Sequence, residues 1–397
     1  PPTSTSSRQT PSRSPGNTPP PSPSTPTASA SPATATRRLR IGYYSPDFRR
    51  HSIAHFFLPL LRHHDRATFE IFLYSDTRGT DATTATLREL ADHWRDLAPL
   101  PEPDAIRLLA ADRLDLLIDL AGLFGATRPR LFAARPAPVQ AHLLGYHGST
   151  GLTSLDYRFT DAVCDPPGAE ANSSEKLVRL PHGFHCFDPL VPPLPEGTPP
   201  CLAAGHFTFG SCNALPKLNP DVVALWARVL HAVPASCLLL KAIQLHDPEL
   251  RAEVVARFAA HGLDPARIEA LPGTSSLQDH LATYRRIDLA LDPFPCNGTT
   301  TTCEALWMGV PVLTLPGARH SARVTSSLLA QVGLPEFIAT SADDYVHRAA
   351  TLAAAPDRLA HLRSTLRARL AASPLGDVRA YARRLEAAYQ EIIARPE

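Results

Sequence analysis

Short apolar strand candidates alternate with helix candidates in two successive series along this chain, and that alternation restricts the fold to parallel sheets flanked by helices. The first series opens with a β-rich run, Leu39–Tyr44, that ends at Ser45-Pro46-Asp47. It continues with an apolar helix near Phe56–Leu61, a strand Phe69–Ser75, helices near Thr86–Trp94 and Asp104–Arg113, and a strand Leu114–Leu120. Further strands are expected at Val139–Gly145, Tyr157–Thr160 and Lys176–Leu180. A proline-dense stretch follows (Pro189, Pro192, Pro193, Pro195, Pro199, Pro200), the composition of an interdomain linker. The second series has strands at Phe207–Cys212, Cys237–Lys241, Ile268–Leu271, Ile287–Leu291 and Val310–Leu315. Helices are expected between them at Pro220–Ala232, Pro248–Ala260, Leu277–Arg285 and Thr300–Met308. Helices near Arg323–Val332, Ala342–Ala354, Arg358–Ala371 and Arg379–Ile392 close the chain, the last expected to pack back on the first domain.

The expectation is therefore an α/β protein of two Rossmann-like domains facing a cleft. Its N-terminal domain spans 37–188, a linker 189–204, the C-terminal domain 205–376, and a terminal helix 377–397. Ligands of such sheets sit at the carboxyl ends of the strands. Residues 1–36 are dominated by Pro, Ser, Thr and Ala, cannot bury enough apolar surface to offset ordering, and are expected to be disordered.

Lys and Arg total 39 against 38 Asp and Glu, a balance far from the basic footprint of a nucleic-acid binder. The basic C-terminal helices (Arg358, Arg363, Arg367, Arg369, Arg379, Arg383, Arg384) read as solvated faces. Seven scattered cysteines without a C-x-x-C pair suit free thiols better than disulfides or a zinc site. No apolar window is long enough for a membrane span and no signal-peptide pattern is present. The expected setting is cytoplasmic, or nuclear in a eukaryotic cell, with neither membrane nor nucleic acid as partner. His182-Gly183-Phe184-His185 has metal-like spacing but follows a strand, contains a helix breaker and lacks a nearby third ligand, so no metal is expected.

The stretch from Asp292 to Val312 carries the strongest chemical signal. An apolar strand ends in a Pro/Asn/Gly loop with Asn297 and Gly298, threonines 299–302 mark a helix start, and another strand follows. Free N–H groups at a helix start, its dipole and several hydroxyls suit a diphosphate, and Glu304 can accept from a ribose. The simpler reading is a helix cap at Thr299 or Thr300. Neither a P-loop nor a G-x-G-x-x-G pattern accompanies it.

This stretch resembles the nucleotide-sugar signature of the protein O-linked N-acetylglucosamine transferases and the SPINDLY-type protein O-fucosyltransferases. The similarity extends to the runs 39–52, 135–140, 145–151, 156–161 and 207–213, and covers about Leu39 to Tyr389. The resemblance implies a GT-B transferase that inverts the anomeric centre, uses no metal or other cofactor, and moves GlcNAc from UDP-GlcNAc to Ser or Thr of intracellular proteins, releasing UDP. It places His51 on the family histidine once proposed as general base, and Lys217 on the lysine set against the donor diphosphate. His280 falls on the histidine beside the uracil base, and Gly145 on the glycine beside the donor sugar. Asn297, Gly298, Thr299, Thr300, Thr301 and Glu304 fall on the donor loop, and Arg323, with His320, is a candidate phosphate contact. A surface histidine, a solvated lysine, a helix-face histidine and a tight turn are the ordinary alternatives at His51, Lys217, His280 and Gly145.

Family members usually carry tetratricopeptide repeats ahead of this region; no 34-residue period is found here, so the low-complexity segment is either a linker left after them or the start of a member without them. Leu123 replaces a histidine of bacterial relatives, His147 a proline, and Ala214 a glutamine of animal members. Animal members carry histidine at the position of Thr299 and aspartate at that of Glu304. These departures keep alternatives open: GDP-fucose as donor, against which Asn297 leans because SPINDLY-type sequences carry alanine there; a non-catalytic nucleotide-binding scaffold; and a sugar-nucleotide epimerase.

Overall fold

In a computed structural model the described residues are 37–125, 127–192, 194–195 and 197–395; the expected disordered segment 1–36 lies outside them. Seven strands build the first sheet: β1 (Leu39–Ser45), β2 (Phe69–Ser75), β3 (His93–Asp96), β4 (Leu116–Asp119), β5 (Val139–His142), β6 (Tyr157–Thr160) and β7 (Lys176–Arg179). They lie in the order β3-β2-β1-β4-β5-β6-β7, all parallel. Five more, β8 (Phe207–Ser211), β9 (Ser236–Lys241), β10 (Ile268–Leu271), β11 (Leu289–Leu291) and β12 (Val312–Leu313), form a second parallel sheet in the order β10-β9-β8-β11-β12.

Helices α1 (Ala54–His63), α2 (Ala82–Leu90), α3 (Glu102–Ala111) and α4 (Pro129–Ala133) connect the first sheet, and the short α5 (Cys201–Ala204) precedes the second. The second sheet is connected by α6 (Pro220–Ala232), α7 (Pro248–Ala259), α8 (Leu277–Thr283) and α9 (Thr300–Trp307). The chain then runs through α10 (Val324–Gln331), α11 (Ala342–Ala353), α12 (Pro356–Ala371) and α13 (Val378–Ala394). Strands buried on both faces explain the continuous apolar runs of β1, β4, β9 and β11. One buried cluster runs from Ile41 through Trp226 to Ile392 and joins both sheets.

The structure corrects the sequence reading at one strand. The helix expected at Thr86–Trp94 starts and ends earlier, because Asp81 caps it: its carboxylate accepts from the Thr84 N–H at 3.0 Å while the Thr84 hydroxyl accepts from the Asp81 N–H. The chain freed beyond Leu90 forms the edge strand β3, where the His93 ring stacks on Phe72 with centroids 4.2 Å apart. α4, opened by Pro129, was not expected.

The terminal helix packs as expected. Tyr389 receives a hydrogen bond from Tyr43 of β1 (3.0 Å), His64 bonds Glu386 (3.0 Å), and Tyr381 donates to the carbonyl of Phe184 (2.9 Å).

Candidate active site

Strand order reverses between β1 and β4 and between β8 and β11, so the loops leaving these strands diverge and open a crevice at each sheet's carboxyl edge. In the second sheet the loop after β8 supplies Asn213 and Lys217, and the loop after β11 leads into α9. Lys217 Nζ donates to the carbonyls of Asn297 (3.2 Å) and Gly298, and to Asn213 Oδ1 (3.3 Å). It makes no ion pair among the described residues, although the buried Asp292 carboxyl beneath the loop feels its charge. Asn213 ties the two loops together: its Oδ1 also accepts from the Thr301 hydroxyl (3.1 Å) and its Nδ2 donates to Ser211 Oγ (3.2 Å).

No side-chain cap closes the start of α9, so the threonine hydroxyls are not spent as the capping reading required. Thr299 Oγ1 lies 3.3 Å from His147 Nε2, and Thr300 is half-buried with no side-chain hydrogen bond among the described residues. The loop itself is held from beneath by Asp292, which accepts from the Gly298 N–H (2.9 Å) and the Thr314 hydroxyl (2.7 Å). Burial pushes its carboxyl up to about 6.

A part-buried chain of polar groups lies alongside. Lys241, the last residue of β9, donates to His280 Nδ1 (2.6 Å) and Thr274 Oγ1 (3.2 Å). The His280 proton therefore sits on Nε2, which donates to Glu304 Oε2 (2.9 Å), and that oxygen also accepts from the Tyr284 hydroxyl (3.2 Å). Both ring nitrogens of His280 are thus engaged, and the Tyr284 ring packs against it T-shaped with centroids 5.7 Å apart. Lys241 is 4% exposed and desolvation holds its ammonium below the usual lysine range.

The first sheet contributes the loops after β1, β4 and β5. His51 is half-exposed; its Nδ1 accepts from the Ile53 N–H (3.4 Å) and lies 3.8 Å from Asp47. Burial depresses its basicity, the Asp47 carboxylate opposes this, and Arg49 and His55 add to it. The neighbouring Arg50 reaches the second sheet's loops, donating to the Ser275 carbonyl at 3.5 Å. After β5, His147 rests beside His185 and His320, ring centroids 6.2 and 5.9 Å away.

Lys217, Thr299, Thr300 and Thr301 thus converge, and His280 and Glu304 form a second contiguous group. The other sequence candidates have different surroundings. Asn297 is 0% exposed and its amide donates to the Pro293 carbonyl (2.7 Å), so its backbone oxygen, not its side chain, meets Lys217. Arg323 Nε is engaged by the Gly317 carbonyl (2.7 Å), and His320 by Asp165 (2.6 Å). At Gly145 a Cβ would lie 2.0 Å from the Leu120 carbonyl oxygen, so the close approach that requires glycine is to backbone. Glu304 is buried, with Oε2 already accepting twice. Of the H-x-x-H pair, His185 packs between Phe56 and Phe184 while His182 is exposed on a turn. Among the described residues no group of three or more His, Cys, Asp or Glu is arranged to hold a metal ion, and no helix is long and apolar enough to cross a membrane. Sequence reasoning missed Lys241, missed Asn213 as a hub, and placed His147 with the sugar or acceptor contacts rather than beside the α9 start.

The family model described as glycosyl transferase family 41 matches residues 25–190 and 201–385. A tomato protein, the probable UDP-N-acetylglucosamine–peptide N-acetylglucosaminyltransferase SPINDLY, is 39% identical over 360 residues, covering 90% of this chain and 39% of its own. A similarly named Caenorhabditis elegans protein is 27% identical and matches 88% of this chain and 40% of its own. The chain thus spans about two-fifths of the length of these curated relatives. A point mutant of the Thermobaculum terrenum O-GlcNAc transferase superposes with a TM-score of 0.84 at 37% identity, over 92% of this chain and 69% of that one. An Anabaena protein in complex with UDP and glucose shares the fold alone, with a TM-score of 0.58 at 12% identity over 89% of this chain and 100% of that one.

Proposed function

The chain belongs to glycosyl transferase family 41, and from that premise we propose that it moves N-acetylglucosamine from UDP-N-acetylglucosamine to serine and threonine hydroxyls of intracellular proteins, inverting the anomeric carbon without a metal ion. The observation that carries this reading is the Lys217 ammonium, without a carboxylate partner, beside the uncapped start of α9. A leaving diphosphate develops negative charge, and a fixed cation with free N–H donors stabilises that charge more as the bond breaks than before. The His280 ring, both nitrogens engaged and its plane fixed, suits stacking on a flat base. His51, on the opposite sheet and held as a neutral imidazole, can take the proton of the attacking hydroxyl. In this reading attack comes from the first sheet's side and the nucleotide departs toward Lys217, as inversion requires.

The test is incubation with UDP-N-acetylglucosamine or GDP-fucose and a cell lysate, reading protein-bound sugar by mass spectrometry, with and without EDTA. Labelling from UDP-N-acetylglucosamine that survives EDTA and falls on the order of 10²-fold or more in Lys217→Ala is expected. Labelling from GDP-fucose alone overturns the donor; nucleotide binding without labelling overturns the enzyme.

A further inference from the structure

Among the described residues His147 is the ring from the first sheet that hydrogen-bonds the start of α9: its Nε2 lies 3.3 Å from Thr299 Oγ1, the residue after the Gly298 whose carbonyl holds Lys217. His147 and Lys217 therefore flank the same peptide from opposite sheets. The groups around the ring are all basic. They are His142 at the end of β5, His185 beyond β7, His320 beyond β12 and Lys217 beyond β8. Acids lie behind them: Asp165, already shared by His320 and Arg158, Glu175, which acts on His142 and is held by Ser149 and Thr150, and Asp292, which lies under the Gly298 loop and interacts with Lys217. His142 and His185 are buried and carry ring nitrogens without partners; desolvation pushes both down to about 3, so they stay neutral. Burial first, then these neighbours, hold His147 well below the ordinary histidine range.

We propose that His147 is a second cationic contact for the donor diphosphate, neutral in the empty cleft and protonated from solvent when a nucleoside diphosphate binds. This rests on the donor-site reading above. An anion set between Lys217 and His147 reverses the local balance of charge, because an opposite charge within a few Å favours the protonated imidazole. Protonated Nε2 no longer accepts from Thr299; it donates, and the Thr299 hydroxyl is released to bond a phosphate oxygen. One proton enters His147 from solvent on nucleotide binding, separate from the acceptor-hydroxyl proton that passes to His51 during sugar transfer.

The test is calorimetric binding of UDP and of GDP at pH 6 to 8, in two buffers of different ionisation enthalpy, for the intact chain, His147→Gln and His147→Lys. The intact chain should take up a fraction of a proton per nucleotide, and its affinity should tighten as pH falls, by at most about tenfold per unit relative to His147→Gln. His147→Gln should bind more weakly without that uptake. His147→Lys, permanently charged, should bind without uptake. This variant keeps the test decisive if the glutamine protein fails to fold. Equal uptake in the intact chain and either variant overturns the inference while leaving the donor site standing. Absence of binding of either nucleotide to the intact chain overturns the donor site, and the inference with it.

Discussion

At the scale of single residues, this site is organised by two lysines that look alike in the sequence and act differently. Lys217 stands out only because its run Asn213–Pro220 resembles the family's; by composition alone it reads as a solvated lysine. Lys241 ends an apolar strand and reads as an ordinary boundary residue. Only the fold brings it to His280, where it fixes the tautomer and ring plane. Lys241→Met should leave His280 free to turn and Glu304 with one constraint fewer. Loss of a charge-assisted buried hydrogen bond is worth roughly 1.5–3 kcal/mol, so the donor KM should rise by about tenfold or more with a smaller change in kcat, measured by steady-state kinetics. Asn297 and Gly145 show the converse. Their positions in the motifs were legible, but burial of the Asn297 side chain and the backbone contact at Gly145 are properties of packing that spacing does not encode.

At the scale of elements, long apolar runs and strong caps were legible, and weak edges were not. β3 consists of His, Trp, Arg and Asp, with no apolar alternation, and is held by the β2 ladder and the Phe72 stack. The terminal helix was legible from its periodic apolar positions, and it carries an energetic role. Tyr389 is fully buried against Tyr43 and Phe159, with ring centroids 6.5 and 5.4 Å away. Tyr389→Ala should cost about 3–5 kcal/mol from the cavity alone, seen as a lower urea midpoint. Because α13 packs on α1 and β1, whose following loop holds His51, nucleotide binding at the second sheet should change less than sugar transfer.

At the scale of the whole molecule, polar bridges cross between the two sheets' halves: Arg50 to Ser275, His147 to Thr299, Ser327 to Asp161 (2.6 Å) and Asp165 to His320. Asp165 is buried, accepting from Arg158 (3.0 Å) and Thr160 as well. Burial raises its carboxyl, but His320, Thr160 and Arg158 outweigh this and hold it far below the usual carboxylate range. Its folded pKa is depressed, so its contribution is present above the unfolded value near 4 and lost as pH falls below that. Asp165→Asn leaves Arg158 buried without its partner. It should destabilise the fold by about 3–5 kcal/mol near pH 7, with a smaller gap between variant and parent as pH drops below about 4, measured by chemical denaturation.

The sequence by itself determined the parallel α/β architecture, the two series of strands and the loop that opens α9. These depend on local periodicity, turn residues and caps, whose physics acts over a few neighbouring residues. Only the tertiary structure decided which of 17 histidines face the cleft, which lysine orients and which flanks the α9 start, and that His147 meets Thr299 across 152 positions of chain. Those outcomes depend on burial, desolvation and hydrogen-bond partners brought together by strand order, and no local pattern carries them.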